Sequence, residues 1–209
     1  MKQLIEKQKV DLMLATPSKL ELLLAEEETK QALKNIKIIQ VGGEVFAPSL
    51  YERLHSCTKA HIYNEYGPSE CTVCATTKEI TSTQISIGTP LCNTKVYICN
   101  RDLNQLPIGM EGEICITGDG VGKGYVNNIE NTKRAFVKKP FEKGNLYKTG
   151  DIARLNENYE LEYVGRKDFQ VKLRGLRIEL SEIDNRIKGI KNITNAVSII
   201  QKVNKIDCI

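Results

Sequence analysis

No run of apolar residues in the 209-residue sequence approaches the ~20 needed to cross a bilayer, and the opening "KQLIEKQKVD" lacks the apolar stretch of a secretory signal. The expectation is a cytoplasmic chain. A basic stripe interleaved with aromatics is absent too. Charged residues make up 27% of the chain but leave a formal net charge of only +4, and the longest basic cluster, "TKRAFVKKP", is flanked by acids. That pattern reads as a solvated face and excludes a nucleic-acid arm. Internal repeats, low-complexity tracts and a complete catalytic constellation of any familiar hydrolase pattern are also missing.

The seven cysteines are an odd number and scattered: Cys57, Cys71, Cys74, Cys92, Cys99, Cys115 and Cys208. Several sit inside apolar strand-like runs such as "KVYIC" and "EICI", so reduced, buried thiols are expected. Cys57, His61, Cys71 and Cys74 form one alternative, a Cys3His metal site. It is disfavoured because zinc motifs pair two such clusters at set spacings.

What is present reads first as a parallel α/β layer. "VDLMLATP" predicts a buried strand ending at Pro17, "SKLELLLAEEE" a helix capped by Ser18, and "IKIIQVGGE" a second strand broken by Gly42 and Gly43. "PSLYERLHS" then predicts a helix and "AHIYNEYG" a third strand. Ligands of such sheets sit at the carboxyl ends of strands, where "GGE" and "NEYGPSE" both fall. The two segments are expected to line one crevice.

From about Ile85 the pattern changes to short strands, "TKVYICN", "GEICITG", "LYKTGDIARLN" and "LEYVGRKD", separated by Gly, Asn, Asp and Pro turns. After Asp168 come a strand pair around Gly175, then a helix capped by Ser181 with Ile183, Ile187 and Ile190 on one face. "NAVSIIQKVNKIDCI" reads as one strand and the start of another. The fold class is therefore α/β: the end of a parallel layer (1–84), a small β-barrel-like unit (85–167), and the start of a small α+β lobe (168–209), truncated.

"NEYGPSE", "GEICITGDGVGKGYVNN", "LYKTGD" and "GRKDFQVKLRGLRIELSEID" follow one another at spacings that resemble the adenylate-forming enzymes. The amino-acid-activating adenylation domains of nonribosomal peptide synthetases are the most similar branch, over nearly the whole chain from about Leu12. The resemblance implies that a carboxylate is joined to the α-phosphate of ATP with Mg²⁺, and that the acyl group then passes to the phosphopantetheine thiol of a carrier domain in the parent synthetase.

The same resemblance implies residue roles. Asn64 would read the adenine edge, Tyr66 offer the base a flat face, and Gly43 belong to the nucleotide-binding set. Ser69, where the family commonly has Thr, would donate to an α-phosphate oxygen, and Glu70 would hold Mg²⁺. Asp151 would accept both ribose hydroxyls, with Tyr163 near the ribose and Arg166 near ribose or phosphate. Asp168 would be the hinge of the small lobe, and Lys172 and Gly175 would lie on its site-facing loop. Gln40, Gly42, Glu65, Val73 and Cys74 would line the amino-acid pocket.

Taken alone, Tyr66 reads as a strand-end core aromatic and Glu70 as a solvated acid; Asp151 reads as a turn aspartate and Lys172 as a solvated hairpin lysine. The family's upstream phosphate loop, the aspartate for the substrate amino group and the lysine near the domain's end are missing, and Lys123 stands where Arg is usual. The chain is thus expected to be the middle of an adenylation domain and a weak catalyst alone. The alternatives are a non-catalytic nucleotide-binding or structural fragment, and an acyl-CoA synthetase relative. Glu65, neighbouring Asn64 and Tyr66 on a strand, should face away from both, either into the amino-acid pocket or toward water.

Overall fold

The computed structural model describes residues 1–138, 144–168, 170–173, 176–203 and 206–209. Two compact units divide at Lys167 and Asp168. The first opens with helix α1 (Lys2–Gln8), strand β1 (Leu12–Ala15), helices α2 (Pro17–Ala25) and α3 (Glu27–Ala32), strand β2 (Ile38–Gly42), helix α4 (Pro48–Cys57) and strand β3 (His61–Tyr66). β1, β2 and β3 are parallel neighbours, as the alternation of strand and helix requires. Strands β4 (Thr76–Glu79) and β5 (Thr89–Pro90) add antiparallel to this sheet, so the layer extends past residue 84.

The helices bury one face of the sheet. Leu20 and Leu33, with Leu50 and Leu54 of α4, pack with Ile39, Val41 and Ile62. β1 departs from the expected buried strand: it is an edge strand in which Leu12 and Leu14 are 48% and 59% exposed. Helix α2 begins two residues earlier than expected. Thr16, not Ser18, is its N-cap, because Pro17 lacks an N–H and its fixed φ suits the first helical position. The Ser18 hydroxyl and N–H instead donate to Glu44 of the "GGE" turn, each at 2.9 Å.

Strands β6 (Thr94–Cys99), β7 (Gly112–Gly118), β8 (Phe136–Lys138), β9 (Asn145–Leu155) and β10 (Leu161–Arg166), with helix α5 (Ile129–Ala135) between β7 and β8, form the second sheet. Its order is β10-β9-β7-β6, with β8 against β9, and every pairing is antiparallel. The α/β layer followed by a β unit is the fold class expected.

In the second unit, β11 (Gln170–Leu173) pairs antiparallel with β12 (Leu176–Glu179), and helix α6 (Leu180–Lys188) follows. Glu179, not Ser181, occupies the N-cap, without a side-chain cap bond, and Ile190 lies beyond the helix end. β13 (Gln201–Val203) and β14 (Ile206–Cys208) pair as an antiparallel two-stranded sheet, so the first strand starts later than the apolar run "AVSII" suggests. Gly175 lies outside the described residues. No described helix is long and apolar enough to cross a membrane.

Candidate functional site

Strand β3 delivers "NEY" at its carboxyl end with alternating facing. Asn64 pairs with Val41 and is buried with Ile62 and Tyr66, while Glu65 pairs with Gly42 on the opposite, half-buried face. The Asn64 amide nitrogen donates to the Ser86 carbonyl at 2.8 Å, which turns its oxygen, an acceptor, the other way. Immediately after, Pro68 leads into the single turn Ser69–Cys71. Ser69 is exposed there and Glu70 half-buried.

The Tyr66 hydroxyl donates to Asp151 Oδ2 at 2.6 Å although the two are 85 positions apart. Arg166 Nη1 donates to Asp151 Oδ1 at 2.8 Å, and both charged side chains are largely buried. Burial, with the Asp151 carboxylate second, pushes the Tyr66 phenol well above its ordinary value, so it stays a proton donor. Tyr163 stands 6.4 Å from Tyr66, ring centre to ring centre.

Local irregularities aim this cluster. β10 carries a bulge between Tyr163 and Gly165, opposite Ala153 and Ile152. In a regular strand Tyr163 and Arg166, three positions apart, would face opposite sides; the bulge takes up one residue, so both share the side of Asp151. On β9, Gly150 adopts φ 77°, and its N–H donates to Glu113 Oε1 at 3.0 Å. The same oxygen accepts from Lys167 Nζ at 2.6 Å. The Thr149 hydroxyl accepts from the Asp151 N–H at 3.0 Å and donates to the Ile114 carbonyl at 2.8 Å. The carboxylate is thus placed by bonds to the backbone on both sides of the Gly150 turn.

Around the expected amino-acid pocket, the strand registers put Gln40, Gly42 and Glu65 on one sheet face. A Cβ on Gly42 would meet the Glu65 carbonyl oxygen at 3.0 Å, so glycine permits close strand approach. The Cys74 thiol is pushed up to about 11, mainly by burial and then by the Glu65 carboxylate. Val73 is 73% exposed.

Thr72 and Val73 have φ of 58° and 70°, the left-handed region that β-branched residues avoid. Because Val73 buries little, Val73→Asn is expected to stabilise the fold by about 0.5–1 kcal/mol, read as a raised urea midpoint; an unchanged midpoint would mean the turn is unstrained.

Lys172 lies on β11 and Asp168 opens the second unit, where its carboxylate accepts from the Gln170 N–H at 3.2 Å. Gly43, at φ 86°, turns the chain after β2. All seven cysteines are free thiols, four of them buried, and no metal-binding cluster of three or more His, Cys, Asp or Glu occurs among the described residues.

Sequence reasoning assigned no role to Ser86, Glu113, Tyr125, Tyr147 or Lys167. Glu113, Tyr125, Tyr147 and Lys167 sit inside the quoted motifs, yet nothing in a motif's spacing says which polar group a buried side chain will meet.

The sequence matches the family of AMP-binding enzymes over residues 1–126. It is 41% identical over 171 residues to bacitracin synthase 3 of Bacillus licheniformis, covering 80% of this chain and 3% of that protein. A nonribosomal peptide synthetase protein containing adenylation and PCP domains superposes with a TM-score of 0.87 at 27% identity, over 99% of this chain and 43% of its own. A four-domain nonribosomal peptide synthetase, solved with AMP and glycine, gives a TM-score of 0.75 at 34% identity, covering 99% of this chain and 16% of that one. The chain therefore spans a minor part of the relatives it matches. A buried Tyr–Asp–Arg cluster behind a "YGPSE" turn, on this fold and with these relatives, places the chain in the AMP-binding, adenylate-forming enzyme family, in the branch of nonribosomal peptide synthetase adenylation domains.

Proposed function

We propose that this chain carries the nucleotide face and part of the amino-acid pocket of a site that joins an amino acid to AMP from ATP and hands it to a carrier-domain thiol. The convergence of Tyr66, Asp151 and Arg166 carries the proposal. A carboxylate has about four lone-pair positions, so Asp151 can accept two ribose hydroxyls while keeping the donors it has. Asn64, its nitrogen committed to Ser86, offers an oxygen suited to the amino group of adenine.

Ser69 and Glu70 present hard oxygen atoms, the donor chemistry of Mg²⁺. When bound, that ion would offset negative charge on the phosphate oxygens. Ser69, exposed at the turn, would donate to the α-phosphate, and Arg166 would approach ribose or phosphate. Lys172, with Asp168 as the hinge, would act from the small lobe, and the protein would work in the cytoplasm beside a carrier partner. The test is amino-acid-dependent exchange of pyrophosphate into ATP by the full-length protein. Exchange driven only by fatty acids would overturn the amino-acid reading, and none with any acid would overturn both.

Glu65 sets the expected substrate. Burial raises its carboxyl above the ordinary value. Stability linked to this group is therefore intact below the ordinary carboxylate range and lost as pH rises through the raised value. A substrate side chain with an amide, hydroxyl or amine donor offsets that cost at neutral pH; a plain Leu or Phe does not. Glu65→Ala is expected to shift activation toward apolar amino acids by roughly tenfold, the worth of about one hydrogen bond to a charged group. An unchanged preference across the amino acids would refute the pocket role.

A further inference from the structure

Glu70 projects from a single turn, too short to fix a side chain with three rotatable bonds. It is nevertheless fixed, by a segment 55 positions away. The Tyr125 hydroxyl donates to Glu70 Oε1 at 2.7 Å. Behind this pair lies Tyr147, a core aromatic 1% exposed. The backbone is held as well: the Gly122 N–H donates to the Glu70 carbonyl at 2.8 Å, and the Thr72 hydroxyl donates to the Gly120 carbonyl at 2.8 Å.

Tyr125 is itself braced. The Tyr125 N–H donates to the Thr132 hydroxyl at 2.8 Å. Its ring meets Phe136 edge-on at 5.4 Å between ring centres, and Phe136 meets Tyr147 at 4.9 Å. Glycines let the segment lie this close, since a Cβ on Gly120 or Gly122 would stand 3.2 Å from the Cys71 carbonyl or 3.3 Å from that of Glu70.

We propose that Tyr125, braced through Phe136 and Tyr147 behind it, is a positioning residue that holds the Glu70 carboxylate in the pose in which it binds the divalent cation accompanying the nucleotide. This rests on the reading of Glu70 as the metal ligand. Phenols suit the task because they are neutral donors. They fix the oxygens without cancelling the charge, whereas a lysine or arginine in their place would neutralise the carboxylate and repel the ion. A carboxylate held in advance also loses less rotamer freedom when the ion arrives.

The experiment measures Mn²⁺ binding to the full-length protein, from the electron paramagnetic resonance signal of the free ion, with a non-hydrolysable ATP analogue present. Thermal unfolding and metal-activation curves accompany it. Tyr125→Phe is expected to weaken Mn²⁺ by about tenfold, the usual loss when a residue behind a metal ligand is removed. The apparent metal requirement should rise in parallel, with lost exchange activity recovered by added metal.

A variant that unfolds at lower temperature yet binds Mn²⁺ as tightly as the native protein would overturn the proposal, since a merely structural residue behaves that way. Glu70→Gln separates the two layers. If it weakens Mn²⁺ while Tyr125→Phe does not, the positioning role is wrong and the ligand reading stands. If it leaves Mn²⁺ untouched, the ligand reading falls and the proposal with it. Should Tyr125→Phe fail to fold, Thr132→Val, which removes the hydroxyl that holds the Tyr125 N–H, decides by the same Mn²⁺ reading.

Discussion

Asp151→Ala is expected to destabilise the protein by about 3–5 kcal/mol, the usual cost of removing one partner from a buried ion pair. The Arg166 and Asp151 side chains are only 14% and 8% exposed, and their 2.8 Å contact is a charge-assisted hydrogen bond. Truncation would leave the guanidinium without its carboxylate and the buried Tyr66 hydroxyl without its 2.6 Å acceptor. The double variant Asp151→Ala/Arg166→Met is expected to recover at least half of the loss, because replacing both charges removes the uncompensated one. Urea unfolding of the four members of the cycle measures this. A single-variant loss below about 1 kcal/mol, the range of an exposed pair, would mean that water reaches the pair freely. A double variant no better than the single would mean that the loss lies in packing. Nucleotide binding should fall in Asp151→Ala and stay low in the double variant, separating the ribose role from the structural one.

The parallel layer was legible because its signals are local. Apolar runs of strand length alternate with helical spacing through β1, α2, β2, α4 and β3, and the Gly-rich ends mark the strand termini. Strand parity likewise separated Glu65 from Asn64 and Tyr66 without any tertiary information. The meeting of Tyr66 with Asp151 is different in kind. Nothing within 85 positions of chain encodes it locally, and it was reachable only through motif order.

Still less legible was the bulge at Val164, one uncounted residue that brings Arg166 onto the face of Asp151. Leu12 and Leu14 show another limit: in the all-apolar run "LMLA" no alternation reveals which face the sheet leaves uncovered. Thr16 and Ser18 are both good helix caps, and the decision came from Pro17 between them. Tyr125 was given no role, since only the folded chain shows that its hydroxyl reaches the Glu70 carboxylate.

Gly67→Ala should abolish the site, because backbone already fills the space a Cβ needs there. A Cβ on Gly67 would lie 2.4 Å from the Val73 carbonyl oxygen, 2.7 Å from Cys74 Cα and 2.8 Å from the Ala75 nitrogen. All three are backbone atoms, so no rotamer change relieves the overlap. The segment must move, yet it is tied in place by the Ala75 N–H to the Tyr66 carbonyl at 2.8 Å and the Cys74 N–H to the Thr72 carbonyl at 2.8 Å. Overpacking of this kind costs about 1–3 kcal/mol or more.

Displacement of the turn also carries Ser69 and Glu70 with it, and a shift near 1 Å of positioning groups costs on the order of 10²-fold in rate. Gly43 supplies the contrast: a Cβ there meets only the Thr16 methyl at 3.5 Å, but φ is 86°. Its cost is conformational, about 1–2 kcal/mol for an alanine, and asparagine, which tolerates that region, should relieve most of it. At Gly67 asparagine should be no better than alanine. Urea unfolding of the four variants, with pyrophosphate exchange beside it, reads both expectations. A tolerated Gly67→Ala, with exchange within about twofold of native, would show that the 73–75 segment yields and that the turn does not depend on its close packing.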